Sequence, residues 1–335
     1  MAMIQKALIT GFGDESKITV VQEEIPAPSA NEVQVEVEFS GFSGADINMR
    51  RGTYPMQKKP PFTPGYCFVG RVAANGSGST KFRIGTRTRV ACLSIYGAEA
   101  ELINVPEKYL VSVPEGIDSQ QATALILDWS TAYGMVMRAA HVEAGDKVFV
   151  HGLSGAVGYA VFTLAKMQGA TVYGTASGRK HADLVQAGAT PYAYSGKDWI
   201  IAMQATGGMD AVFDPLGFES WDESYSILRK GGVLVGYGLN LPALSGTAPR
   251  PALPAVVKLL ARNLVFWTGK RTKFYFISRD SKHYLSDLEA LFDLLRTGRL
   301  SVPIKAVIPL RDIQRAHREW SQGAGIGSIL IQVCE

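Results

Sequence analysis

Three glycines near the middle of the chain, Gly152, Gly155 and Gly158, have a spacing that can do chemistry. They follow the apolar run Val148-Phe149-Val150 and precede a stretch of helical periodicity from Ala160 to Met167. Gly169-Ala170 closes that helix, and Thr171–Gly174 is a second β-branched run. In a strand–turn–helix–strand unit each glycine has a task. One permits the sharp turn, one lets backbone N–H groups approach a pyrophosphate, and one lets helix and strand pack closely. The helix N-terminus adds free N–H donors and a partial positive charge. Such a triplet alone also fits a plain αβ turn; the flanking strand and helix favour dinucleotide binding.

The end of the second strand bears on which dinucleotide. An NAD site usually carries an acid there, bonded to the ribose hydroxyls. This strand runs out as Gly174-Thr175-Ala176-Ser177-Gly178-Arg179-Lys180-His181, with no acid. A hydroxyl followed by two cations suits the 2′-phosphate of NADPH. The plainer alternative is a solvated helix start capped by Ser177.

The whole chain limits the setting. It has 335 residues, 47% hydrophobic, enough for two full-sized cores. A diffuse net charge of +4 gives no case for a nucleic-acid partner. No run approaches the roughly 20 apolar residues of a membrane span, and the amino terminus lacks a signal peptide's apolar segment. Cys67, Cys92 and Cys334 are too few and scattered for a disulfide framework, so a reducing, cytoplasmic setting is expected.

Around the glycine loop the chain divides by texture. Up to residue 118 it reads as short strands: Lys6–Thr10, Ile18–Glu23, Val33–Ser40, Val69–Ala74, Arg87–Cys92, Glu99–Val105 and Tyr109–Val113. A small barrel is the economical packing for these. Gln121–Leu127 and Ser130–Ala140 read as helical. From Lys147 onward, strands at Val148–Val150, Thr171–Tyr173, Ala211–Asp214, Val233–Tyr237 and Leu264–Trp267 alternate with helices, which predicts a parallel sheet covered on both faces. Ligands of such sheets sit outside the strands' carboxyl ends, so Asp214, Pro215, Leu216, Gly236, Tyr237 and Gly238 are expected to line the site. A helix at Asp287–Thr297, strands at Val302–Pro309 and Ser328–Val333, and a helix at Asp312–Ser321 complete the chain. The last strands are expected to return to the first domain.

Several stretches together resemble the medium-chain dehydrogenase/reductase superfamily, in its zinc-free quinone oxidoreductase branch and near the vesicle amine transport protein homologues. They are Gly44-Ala45-Asp46 through Arg51-Gly52-Thr53-Tyr54-Pro55, Pro61-Phe62-Thr63-Pro64-Gly65, Thr131-Ala132-Tyr133, Val150 to Gly158, Tyr173 to Ser177 with Lys180-His181, Asp214-Pro215-Leu216-Gly217, and Gly236-Tyr237-Gly238. The resemblance implies an α/β chain: a GroES-like β-barrel from residues 1–118 and 285–335, with a Rossmann doubly wound parallel-sheet domain, 119–284, inserted.

The resemblance is informative where it fails. Zinc-dependent members use a Cys and a His-Glu pair in the first domain; here Ser43 stands at the Cys position and Tyr66-Cys67 follows Pro64-Gly65. Zinc needs three or four well-spaced ligands, so no metal site is expected. Without a Lewis acid, a quinone or an α,β-unsaturated carbonyl is an easier hydride acceptor than a plain ketone, since the developing charge reaches an oxygen that needs only donors and a proton. The resemblance places Ser43, Tyr54 and Tyr66 around the nicotinamide pocket. Tyr54 is the candidate substrate-orienting donor, or else an aromatic wall; Ser43 fills space or touches the cofactor. Thr131 is implied at the nicotinamide ribose or phosphate, and Ser154, Gly155, Ala156 and Val157 at the pyrophosphate. Ser177, Lys180 and Tyr194 are implied at the 2′-phosphate, with Arg179 assisting or facing water. Asp128 replaces an Asn of close relatives.

Leu239–Pro254 and Lys270–Ser281, with Phe274, Tyr275 and Phe276, either cap the substrate pocket or form exposed loops with aromatics packed inward. The β-rich Asn263–Gly269 corresponds to a strand that pairs across a two-fold in relatives, implying a homodimer. The favoured function is an NADPH-dependent reductase of small quinone or enone substrates. The alternative is a nucleotide-binding interaction protein with little or no catalysis.

Overall fold

The computed structural model describes residues 2–85, 87–323 and 325–334. The strands are β1 (Ala2–Ile9), β2 (Ile18–Ile25), β3 (Glu32–Phe42), β4 (Phe68–Asn75), β5 (Val90–Cys92), β6 (Leu102–Pro106) and β7 (Val111–Ser112), then β8 (Lys147–His151), β9 (Thr171–Ala176), β10 (Thr190–Ala193), β11 (Met209–Asp214), β12 (Leu228–Gly236), β13 (Arg271–Phe274), β14 (Ile304–Pro309) and β15 (Ser328–Gln332). They fall into two units, 1–130 with 278–323 and 328–335, and 131–277 with 324–327.

In the first unit, β14-β15-β3-β4-β5-β7 form one sheet, with β6 on the other part of the long β3 and a β1–β2 hairpin beside it. Alternation in β3 sends Val33, Val35 and Val37 into a core with Phe68, Val90 and Ile103, while Gln34 and Glu36 stay outside it. The carboxyl-terminal strands join this sheet through β15, antiparallel to β3. The expected boundaries after 118 and before 285 lie inside this unit. Glu38 gives one reason: its carboxylate accepts from Ser119 Oγ at 2.6 Å, Arg89 Nε at 2.7 Å and Arg71 Nε at 2.7 Å, tying the helix Ser119–Ala124 to the strands.

The second unit is a six-stranded parallel sheet in the order β10-β9-β8-β11-β12-β13. Numbered from β8, this is the dinucleotide-fold order 3-2-1-4-5-6, with its switch point between β8 and β11. Trp199, Trp221 and Phe149 anchor the core beside it.

Several expected elements differ. Leu264–Trp267 is not a strand: 262–264 and 266–268 are 3₁₀ turns, and the sheet ends on β13 after Gly269. The Asn263 amide occupies both backbone groups of Thr272, donating to its carbonyl at 3.0 Å and accepting its N–H at 2.8 Å, so a side chain does what a strand would. The short edge strand β10 escaped the periodicity. The strand expected from Glu99 begins at Leu102, because Glu99 N–H is bonded to the Pro64 carbonyl. The stretch 130–140 is largely π-helical, at Gly134–Ala140.

Burial works against ionisation of Glu38, but the bonds from Ser119, Arg89 and Arg71 hold its carboxyl below the usual range. Glu38→Gln is expected to cost about 1–3 kcal/mol at pH 7 in chemical denaturation. The folded form prefers the carboxylate, so that stability is full above about pH 4.5 and is lost as pH falls through the depressed folded value. The gap between wild type and variant should close over that acid window.

Candidate dinucleotide site and candidate catalytic hydroxyls

β8 ends at His151 and runs into the glycine turn. Gly152 has φ +72°, and a Cβ at Gly158 would lie 2.1 Å from the Gly152 carbonyl oxygen. The backbone therefore folds tightly on itself before the helix Ala156–Met167, whose first N–H groups have no partner within the helix. Gly155 precedes it with no capping side chain, the arrangement that suits an anion at a helix start. Ser154 is buried, while Ala156 and Val157 are half-exposed.

At the end of β9, Ser177 does not cap the following turn. Its Oγ is buried and has no hydrogen-bond partner. Lys180 is 6% exposed, and burial, aided by repulsion from Arg179, pushes its ammonium below its ordinary value. An orphaned hydroxyl and a partly desolvated cation three residues apart fit a phosphate. Arg179 is exposed, and Tyr194, just past β10, is 67% exposed.

Asp214 does not line the site as expected. Its side chain is fully buried, and its carboxylate accepts the Leu216 N–H at 2.7 Å and the Ser220 and Ser224 hydroxyls at 2.7 Å each. It shapes the rim through backbone: Leu216 is fixed by the carboxylate, and Tyr237 N–H donates to the Asp214 carbonyl at 3.2 Å. A Cβ at Gly236 would come within 2.8 Å of the Trp221 ring, so that position is a close approach within the unit. Thr131 is 8% exposed.

In the first unit, Ser43 caps the helix Gly44–Arg51 in a capping box with Asp46. Its oxygen accepts from Ala45 N–H at 3.1 Å and its hydroxyl reaches Asp46 Oδ2 at 3.3 Å. Tyr54 and Tyr66, twelve residues apart, share a hydroxyl hydrogen bond of 2.7 Å. Burial is the main cause that raises both phenols, so both are neutral donors at physiological pH. Phe274 packs edge-on to Trp221, while Phe276 is 74% exposed.

The first unit also buries three acids to which the sequence assigned no chemical role, Asp46, Glu99 and Asp128. Asp46 accepts the Gly65 N–H at 3.3 Å, and burial pushes its carboxyl up to about 6. Glu99 is fully buried with no partner on either oxygen; burial, then Asp46, pushes it well above the carboxylate range. Asp128 sits in the π-helical stretch Leu125–Trp129, accepts Ser328 Oγ at 2.6 Å, and has no partner on Oδ1. Burial raises it to about 7. Among the described residues, no group of three or more His, Cys, Asp or Glu side chains is disposed to hold a metal ion. Among the described residues, no helix is long and apolar enough to cross a membrane.

Residues 29–115 match the alcohol dehydrogenase GroES-like domain family and residues 187–331 the zinc-binding dehydrogenase family. The zebrafish (Danio rerio) synaptic vesicle membrane protein VAT-1 homolog is 31% identical over 339 residues, covering 97% of this chain and 69% of the relative. The chain belongs to the medium-chain dehydrogenase/reductase superfamily. A probable quinone oxidoreductase of Schizosaccharomyces pombe is 29% identical over 96% of this chain and 95% of its own length. The structure of Escherichia coli quinone oxidoreductase complexed with NADPH superposes with a TM-score of 0.84 at 24% identity, covering 98% of this chain and 99% of that one. These matches agree with the zinc-free quinone oxidoreductase branch, and with a GroES-like and a Rossmann-like domain.

Within that superfamily fold, the acids of the first unit mark what motif matching misses. The one available signal was Asp128 in place of Asn. Its folded-state value of about 7 lies above the ordinary 3.8, so the folded form binds the extra proton. Its contribution is full at low pH and is lost as pH rises from about 4 through 7. Asp128→Asn should therefore stabilise the protein at pH 8 by about 1–4 kcal/mol and leave it nearly unchanged at pH 4, read from denaturation midpoints at each pH.

Proposed function

We propose that the protein is an NADPH-dependent oxidoreductase that reduces small quinones or α,β-unsaturated carbonyls without a metal ion. The observation that carries the cofactor choice is the buried, unpartnered Ser177 hydroxyl beside Lys180. NADPH, when bound, supplies the hydride. Ser154, Gly155, Ala156 and Val157 hold the pyrophosphate at the helix N-terminus, while Ser177, Lys180 and Tyr194 hold the 2′-phosphate. Thr131, Leu216, Gly236 and Tyr237 complete the cofactor's surroundings. The Escherichia coli relative's NADPH complex supports the same choice.

The acceptor follows from the donors in the first unit. The Tyr54–Tyr66 pair offers a neutral O–H to an acceptor oxygen. Burial holds both phenols protonated, so Tyr54 has an O–H with which to orient and stabilise that oxygen. Conjugated carbonyls need no more than this. Ser43, already committed to its helix cap, takes no chemical step.

NADPH oxidation with 9,10-phenanthrenequinone and with simple enones is the direct test, and activity should survive a chelator. Absence of turnover with every acceptor, together with weak nucleotide binding, would favour the interaction-protein alternative. Tyr54→Phe should lower kcat/KM roughly tenfold without abolishing turnover. Lys180→Ala should weaken NADPH roughly tenfold and NADH little; an equal loss for both would remove the 2′-phosphate assignment.

The proposal extends to a cytoplasmic homodimer. β13 leaves one sheet edge open, and Leu264, Phe266 and Trp267 beside it are each more than 70% exposed. A second copy seated on this edge predicts a sedimenting mass twice the 36.2 kDa of one chain, and Trp267→Glu should shift it toward the monomer.

A further inference from the structure

The carboxyl ends of β8, β9 and β11 are joined by a chain of buried hydrogen bonds that no phosphate contact requires. Asp214 Oδ2 accepts the Ser224 hydroxyl at 2.7 Å. Ser224 Oγ and His151 Nε2 are 3.0 Å apart. His151 Nδ1 and Thr175 Oγ1 are 3.2 Å apart, and Thr175 Oγ1 accepts the Gly152 N–H at 3.2 Å. Asp214 and Ser224 are fully buried, and His151 and Thr175 are each 3% exposed.

Only one arrangement of hydrogens satisfies this chain. The carboxylate can only accept, so Ser224 spends its single hydrogen on Asp214. Ser224 Oγ must then accept, which puts the imidazole hydrogen on Nε2. Nδ1 is left as an acceptor and takes the Thr175 hydroxyl hydrogen. Thr175 Oγ1 is then free to receive the Gly152 N–H. A protonated ring would set a second donor against Thr175 and leave that hydroxyl's hydrogen unspent in a dry site. Desolvation indeed pushes His151 below its ordinary value, against the attraction of Asp214 and Glu223 and with the repulsion of Lys197. The Phe149 and Trp199 rings pack edge-on against the imidazole at 5.1 and 5.0 Å, closing it from water.

The ends of the chain matter for function. At one end is the N–H of Gly152, the first residue of the phosphate-binding turn. At the other is Asp214, whose Oδ1 holds the Leu216 N–H. β8 and β11 are neighbours across the switch point. We infer that the Asp214–Ser224–His151–Thr175 relay sets dinucleotide affinity by holding the turns at Gly152 and at Pro215–Leu216 in one geometry, with His151 a positioning residue fixed as the neutral Nε2–H tautomer. Preorganised backbone donors bind an anion without an ordering cost, and a loosened relay restores that cost. The inference rests on the proposed dinucleotide site and adds to it a set of residues that touch no cofactor.

The experiment is calorimetric titration of the full chain with NADPH, together with nitrogen NMR of the imidazoles. Thr175→Val keeps the shape and removes the hydroxyl; it should weaken binding about tenfold, and Thr175→Ser should restore it to within about twofold. His151→Phe should weaken binding similarly, and the double variant by far less than the product of the two, since both cut one chain. His151 should give the Nε2–H signature from pH 5 to 8. Unchanged affinity in Thr175→Val, independent effects in the double variant, or an Nδ1–H or titrating ring would each overturn the inference. A wild type that binds neither NADPH nor NADH would overturn the dinucleotide reading and the relay with it, whereas wild-type binding with an indifferent Thr175→Val overturns the relay alone.

Discussion

A carboxylate without solvent survives in a fold only if donors surround it, and in the second unit Asp214 imposes that condition. Among the described residues its hydrogen-bond donors are a backbone N–H and two serine hydroxyls, with no lysine or arginine. Those donors come from the turn after β11 and from the helix Glu219–Ser226, so satisfying one charge fixes where the chain goes as it leaves the sheet. Ser220 and Ser224 are four residues apart and share a helix face, which is why one helix supplies both donors. Through Ser224 the same charge orients His151, and through His151 it reaches the glycine turn.

The first unit solves the opposite problem. Asp46, Glu99 and Asp128 are buried acids, and burial pushes each of them toward the neutral form. Where Asp214 collects hydrogen-bond donors, these groups are shifted by burial toward the protonated form. Tyr54 and Tyr66 stand in the same unit with their phenols likewise held neutral.

Two features bear on how this superfamily member departs from the general dinucleotide fold. One is the hydroxyl-and-cation pair Ser177 and Lys180 in place of the acid that dinucleotide folds for NAD use. The other is Asp128, an acid whose titration falls near neutrality while its single bond from Ser328 ties the π-helical stretch to β15. Both rest on a few side chains set on a scaffold whose strand order and glycine spacing match the general pattern.

Much of this was written in the sequence because it depends on local rules. Glycine spacing, the strand–turn–helix around Gly152, the alternation of Val33, Val35 and Val37 and the missing acid after β9 are properties of neighbours along the chain. They sufficed for the two kinds of sheet and the tight glycine turn. Periodicity failed where a distant side chain replaced a strand, as Asn263 does for Thr272, and where an edge strand such as β10 was too short to register. It also misjudged Asp214, since a polar residue at a strand end looks the same whether it faces a ligand or a pair of serines. Pairing of Tyr54 with Tyr66, burial of Glu99 and alignment of Thr175, His151 and Ser224 join residues far apart in the chain. Hydrogen bonds and desolvation act through space, so only the tertiary structure decided them.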